Sequence, residues 1–133
     1  IEAGLMSYGN DFTKENNPIE CNLEKYCNNE SDHDFIGKNV LEKIKKQGVK
    51  QKLKGVLFDG IDCPPCSVPF PLYSKDKKLI GKITSGIYSP KFKKNIGLSM
   101  ILNEFCKIGS EVLVHTPDNK LRKGVVSSLP FSK

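Results

Sequence analysis

The pair Cys63 and Cys66, separated by Pro64-Pro65, is the first place in this 133-residue chain to look for chemistry. In a dithiol redox site the leading cysteine caps a helix whose dipole stabilises its thiolate. Here Ser67-Val68-Pro69-Phe70-Pro71 follows, and prolines at 69 and 71 do not allow a long helix. As half of a zinc site the pair needs two further ligands. Cys21, Cys27, His33, Cys106 and His115 are the candidates, and none of them forms a second close pair. The motif therefore reads as a proline-stiffened loop, and no metal ligand set is assigned.

The two histidines stand alone. His33 lies between Asp32 and Asp34 in an acidic loop, and His115 sits near a strand end just before a turn. No Ser, His and Asp constellation has recognisable spacing, and no glycine-rich phosphate loop is present. The first twenty residues have a different texture. Glu2, Tyr8, Asp11 and Glu20 are interleaved with Gly4, Gly9 and Pro18. Such a mixture can line a pocket for a flat heterocycle, with tyrosine stacking and carboxylates accepting ring N–H donors. Turn-forming and surface roles fit the same spacing.

Three kinds of segment must position these groups. Residues 1–31 are irregular and polar, with turns at Tyr8-Gly9-Asn10-Asp11 and before Pro18, and a loop over residues 27–32. A helix follows within 32–48, with Asp34 as its N-cap and Ile36, Val40, Leu41 and Ile44 as its apolar stripe. Lys43, Lys45 and Lys46 suit its C-terminal dipole, and Gly48 ends it. From residue 50 to 131 the pattern changes to short strands: 53–58, an edge-like piece at 69–73, 78–87, 95–102, 111–116 and 121–127. Pro117-Asp118-Asn119 is the hairpin turn between the last two. Six such strands predict a mainly β chain, a small six-stranded barrel or a two-sheet, jelly-roll-like barrel, with one linking helix before it.

Composition narrows the function classes. The net charge is +6, yet Arg122 is the one arginine among 21 basic residues, and lysine alone is a poor reader of bases. The sequence therefore predicts a solvated lysine surface and no nucleic-acid partner. The alternative, a basic barrel that binds nucleic acid, would need Phe70, Tyr73, Tyr88 and Phe92 as stacking platforms. No apolar run approaches the ~20 residues of a membrane span, so no membrane partner is expected. Five cysteines at uneven spacings, without a secretion signal, predict reduced thiols and a cytoplasmic location. The Ile1-Glu2-Ala3-Gly4 start, with no initiator Met, suits part of a longer product.

Five segments, taken in order, resemble one family. Ile1-Glu2-Ala3-Gly4-Leu5-Met6-Ser7-Tyr8-Gly9-Asn10-Asp11 is similar to its E-A-G-x-x-x-Y-G-x-D segment, and Asn17-Pro18-Ile19-Glu20 to the element that follows. Asp34-Phe35-Ile36-Gly37-Lys38 resembles its D-F-[IL]-G-[KR] helix start. Gly81-Lys82-Ile83-Thr84-Ser85-Gly86-Ile87-Tyr88-Ser89-Pro90 resembles a barrel strand, and Leu129-Pro130-Phe131 the closing motif. The family is that of the glycine-cleavage T-proteins (aminomethyltransferases) and the dimethylsulfoniopropionate demethylases. The resemblance implies that residues 1–31 are the tail of an α+β folate-binding domain, 32–48 a linking helix and 50–131 the C-terminal barrel. It implies tetrahydrofolate as cofactor, with Glu2 and Tyr8 near its channel and no catalytic residue in this stretch. An arginine expected just before Ile1 and the catalytic aspartate would lie upstream, so these residues alone are expected to be inactive. The Ser7-Tyr8-Gly9-Asn10-Asp11 and Tyr88-Ser89-Pro90 segments lie closer to the demethylases, Gly86 to the aminomethyltransferases. The small-molecule donor is then dimethylsulfoniopropionate or an aminomethyl donor, with a lipoyl carrier protein as partner in the second case only.

Overall fold

From Gln51 onward the alternating pattern resolves into six antiparallel strands in the computed structural model, which describes residues 1–27 and 32–132. They are β1 (Gln51–Phe58), β2 (Phe70–Ser74), β3 (Leu79–Ser89), β4 (Lys94–Leu102), β5 (Glu111–Thr116) and β6 (Lys120–Ser127). The pairing order is β1-β4-β3-β2-β5-β6, and β6 returns to β1 from Gly55↔Ser127 to Phe58↔Gly124. The sheet is a closed barrel, not two packed sheets. All six strands send apolar side chains into one interior cluster, among them Val56, Phe58, Phe70, Leu72, Ile80, Ile83, Ile101, Val112, Val114 and Val126.

β4 is buried on both faces, from Asn95 to Ile101. Its outward residues Ile96, Leu98 and Met100 join Leu53 and Phe131 in a second cluster, completed by Ile1, Met6, Phe92 and Leu129. Both ends of the chain thus cover one side of the barrel. Gly55 makes room for this: a Cβ there would stand 2.7 Å from the Phe131 ring.

Two local expectations are corrected. Pro69 and Pro71 mark β2 as an edge, yet it pairs with β3 on one side and β5 on the other. A closed barrel has no edge strand, and Pro71 is accommodated because pairing with β5 starts only at Leu72. The helix, α1 (Lys38–Gln47), begins later than expected, and Asp34 is not its N-cap. Gly37 occupies that position at φ +92, a left-handed conformation that turns the backbone away from Asp34, and no side chain caps the first turn. Gly48 does end the helix, its N–H donating to Ile44 O at 2.8 Å. The apolar stripe stays largely open: Ile36 and Val40 are exposed, and no residue of α1 is buried. The expected loop at 27–32 falls mostly outside the described residues. The Pro117-Asp118-Asn119 turn connects β5 to β6 as expected, with Asn119 at φ +60.

Candidate functional site

Residues 1–27 form a strap across the outside of the barrel, and polar groups spaced along it tie it down. At its start, Gly4 N–H closes a turn on Ile1 O at 2.8 Å, and Phe131 N–H donates to Glu2 O at 3.2 Å. The Glu2 carboxylate accepts from Ser89 Oγ at the end of β3 through Oε1. Its Oε2 has no partner among the described residues.

The second tie is the turn from Ser7 to Phe12. Asp11 N–H and Asn10 N–H both donate to Ser7 O, at 2.9 and 3.2 Å, and Gly9 N–H donates to Phe12 O at 2.8 Å. Gly9, at φ +87, supplies the left-handed residue this closure requires. Asp11 is 4% exposed and fully engaged. Oδ2 accepts from Ser7 N–H at 2.8 Å, and Oδ1 accepts from Thr84 Oγ1 and Ser85 Oγ, each at 2.6 Å. Consecutive strand residues normally point to opposite faces. Here β3 is bulged between Ile83 and Ser85, so Thr84 has no partner residue on β4 and both hydroxyls reach the same oxygen. Tyr8, at the crest of the turn, is 67% exposed and meets Phe12 edge-on at 5.5 Å.

The third tie is at Glu20. Asn17 Oδ1 accepts from Ile19 N–H and Glu20 N–H, both at 3.0 Å, and Asn16 Nδ2 donates to the Glu20 carboxylate at 3.1 Å. Glu20 O then accepts from Leu53 N–H at 2.7 Å, joining the strap to β1. Cys21 beside it is buried, and burial pushes its thiol up.

Of the polar set singled out in the sequence, then, Glu2 and Asp11 hold the strap down through their carboxylates, Glu20 does so through its backbone carbonyl, and Tyr8 is displayed. Glu2 and Tyr8 do not meet at one point. Their anchors on β3, Ser89 and Ser85, lie four residues apart, roughly 13 Å along a strand. A concavity of about 270 Å³ opens beside the strap between Met6, Cys21, Tyr26 and Pro130, and neither residue lines it.

The Cys63-Pro64-Pro65-Cys66 loop lies against the barrel interior, and no helix begins within it. Asn95, wholly buried, organises it: Oδ1 accepts from Cys63 N–H at 2.7 Å, and Nδ2 donates to Ile61 O at 3.0 Å and Gly60 O at 3.3 Å. Arg122 is buried as well, donating to Thr116 Oγ1, Asp118 Oδ2 and Ile61 O. Burial pushes the Cys63 and Cys66 thiols up, and the Arg122 guanidinium offsets part of this at Cys63. Raised thiols are poor nucleophiles at neutral pH. Among the described residues no three His, Cys, Asp or Glu side chains gather where a metal could sit. The roles of Asn95, Arg122, Thr84 and Ser85 were not readable in advance. The one available signal was the Thr84-Ser85-Gly86 segment, recognised as a motif without its partner.

A closed six-stranded antiparallel barrel with an N-terminal strap tied across its outside defines the class of fold. Comparison then narrows the class: residues 54–133 match the glycine cleavage T-protein C-terminal barrel domain. The chain belongs to the glycine cleavage T-protein family. It is 39% identical over 118 residues to the dimethylsulfoniopropionate demethylase of Ruegeria pomeroyi, covering 89% of this chain and 31% of that protein. It is 37% identical to the aminomethyltransferase of Bacillus velezensis over 135 aligned residues, covering 100% of this chain and 35% of the relative. The crystal structure of the glycine cleavage system aminomethyltransferase T from Bartonella henselae superposes with a TM-score of 0.84 at 25% identity, over 98% of this chain and 36% of that one. The chain thus spans about a third of the length of these relatives. No helix among the described residues is long and apolar enough to cross a membrane.

Proposed function

We propose that this chain is the C-terminal part of a tetrahydrofolate-dependent one-carbon transferase, and that its donor is a sulfonium of the dimethylsulfoniopropionate kind. The observation that carries the reading is the ordered likeness to the Ruegeria pomeroyi demethylase across 89% of the chain. Tetrahydrofolate, when bound, accepts the one-carbon unit. The residues present suit such a guest in part. Tyr8 offers an exposed aromatic face on a turn closed by four hydrogen bonds, and Glu2 keeps Oε2 free to accept from a ring N–H. Exposed Leu5, Tyr8 and Tyr26 on the strap support a face that the other two-thirds of the whole protein covers. In this reading residues 1–31 belong to the folate-binding domain, 32–48 link it to the barrel and 50–131 form the barrel.

A sulfonium is already a good leaving group because of its positive charge. The site therefore has to orient donor and acceptor more than it has to activate a nucleophile. This fits a strap of fixed, non-nucleophilic groups. The catalytic residues are placed upstream, and residues 1–133 by themselves are inactive in this reading.

A second reading, an aminomethyltransferase with a lipoyl carrier protein as partner, is favoured by the 37% identity that runs over the whole chain. The two separate in one experiment on the whole protein. Methyltetrahydrofolate formed from dimethylsulfoniopropionate supports the first. Ammonia released from an aminomethylated lipoyl carrier, with no methyltetrahydrofolate, rejects the first and supports the second. The nucleic-acid reading loses two of its four stacking platforms: Phe70 is buried in the barrel interior and Phe92 packs on Phe131, ring centroids 6.1 Å apart.

A further inference from the structure

We propose that Asp11 is a positioning residue for the one-carbon transfer, acting through Tyr8; the inference rests on the folate reading above. Asp11 touches no open surface, so its effect on a ligand has to pass through what it holds. It holds one turn. Oδ2 fixes the first residue, Ser7, while Oδ1 anchors the whole turn to β3 through two hydroxyls more than seventy residues away in sequence. Asn10 adds a further contact to the same place on β3, Nδ2 to Thr84 O at 3.4 Å. Tyr8 lies inside the closed loop, between Ser7 and Asp11. The position of its backbone relative to the barrel is therefore set by the clasp, and its ring meets Phe12 edge-on within the same turn.

The bulge points to the same role. A regular β3 would turn Thr84 and Ser85 to opposite faces and leave Asp11 with one hydroxyl donor from β3. Bulges commonly re-aim side chains beside working sites. Here the irregularity doubles the donors on a single carboxylate oxygen. A surface turn that needed only to stay folded already has its own backbone hydrogen bonds. What the clasp adds is a fixed relation between that turn and the barrel.

The test compares Asp11→Asn, Ser85→Ala and Tyr8→Ala in the whole protein. Asparagine keeps an acceptor for the two hydroxyls but sets an amide N–H against Ser7 N–H, so the turn loosens. Ser85→Ala removes one donor from a half-exposed position and serves where Asp11→Asn fails to fold. With tetrahydrofolate and the donor that supports turnover, Asp11→Asn raises KM for tetrahydrofolate roughly tenfold, and Ser85→Ala about threefold, with kcat changed less than about twofold. The double variant Asp11→Asn/Tyr8→Ala is no worse than Tyr8→Ala alone. Without any ligand, amide hydrogen exchange at Gly9 and Asp11 speeds up in both clasp variants while the β1 and β4 amides keep the parent rates. Additive losses in the double variant, an unchanged KM, or unchanged exchange at Gly9 and Asp11 each overturn the positioning role and leave the folate reading standing. A parent protein that turns over no donor with tetrahydrofolate overturns the folate reading, and the positioning role with it.

Discussion

Replacing Asn95 with leucine tests how the barrel holds its longest loop. The amide is 0% exposed and serves the loop after β1 from the floor of the barrel. Leucine fills a similar volume, so little of the cost comes from a cavity. The loss is polar. Cys63 N–H, at 2.7 Å from Oδ1, is left without its acceptor. Ile61 O loses the amide at 3.0 Å but keeps Arg122 Nη1, and the contacts to Gly60 O and Asp59 O are long, at 3.3 and 3.5 Å. One orphaned donor costs ~1–3 kcal/mol, and the lost bond to Ile61 O another ~1 kcal/mol, so the expected destabilisation is about 3 kcal/mol. An unfolding entropy of ~2.1 cal/mol/K per residue over this length converts that to a fall in Tm of ~11 °C. Differential scanning calorimetry measures the fall, and alkylation of Cys63 under native conditions reports where it acts. The loop opens before the barrel does, so Cys63 is alkylated faster while far-UV circular dichroism is unchanged. A Tm within ~3 °C of the parent, or an alkylation rate at Cys63 that does not rise, refutes the reasoning.

Three further outcomes follow from the same structure. Phe131→Ala removes the ring that rests on Gly55 and packs against Phe92, and should cost ~3–4 kcal/mol in urea denaturation, as large buried aromatic deletions do. Val40→Lys, on the open face of α1, should change the stability of this chain by less than about 0.5 kcal/mol; a larger loss would mean that the helix packs on the barrel. The Thr116 hydroxyl, together with the Arg122 guanidinium, holds the Asp118 carboxyl below its ordinary value. A depressed carboxylate stabilises the fold above its unfolded pKa and loses that contribution as pH falls through the folded one. A ¹³C titration of Asp118 should therefore show a midpoint below that of an ordinary aspartate, moving up in Thr116→Val.

How much of this was legible depended on the distance between cause and effect along the chain. The strands were readable because alternation is local: all six occupy nearly the expected residues, and Pro117-Asp118-Asn119 turns where its side chains require. β2 was misjudged because proline reports on one residue's lost donor, whereas edge or interior status depends on which strands close the barrel. The helix start was misjudged for a subtler reason. Asp34 has the right chemistry for a cap, but Gly37 stands between it and the first turn and takes a backbone angle that breaks the continuity. Glu2, Tyr8 and Asp11 were singled out as part of a polar and aromatic set, and Glu2 and Tyr8 also by the family resemblance. What separates their fates is contact with β3, more than seventy residues on, and a bulge that no local pattern announces.

In the proposed reading, the strap also bears on how non-reacting residues could orient a ligand. A segment without regular structure is a poor platform for placing a ring, since each unconstrained residue retains ~1–2 kcal/mol of backbone entropy. Here Glu2, Asp11 and Glu20 tie the strap to the barrel at intervals of nine residues, through β3 twice and β1 once. Ile1, just before the first tie, and Met6, between the first two, pack on the outward side of β4. Removing the strap would expose Ile96, Leu98 and Met100, so the strap and that face of the barrel stabilise each other. The groups on the strap therefore inherit the rigidity of a closed sheet, which is the property an orienting surface needs.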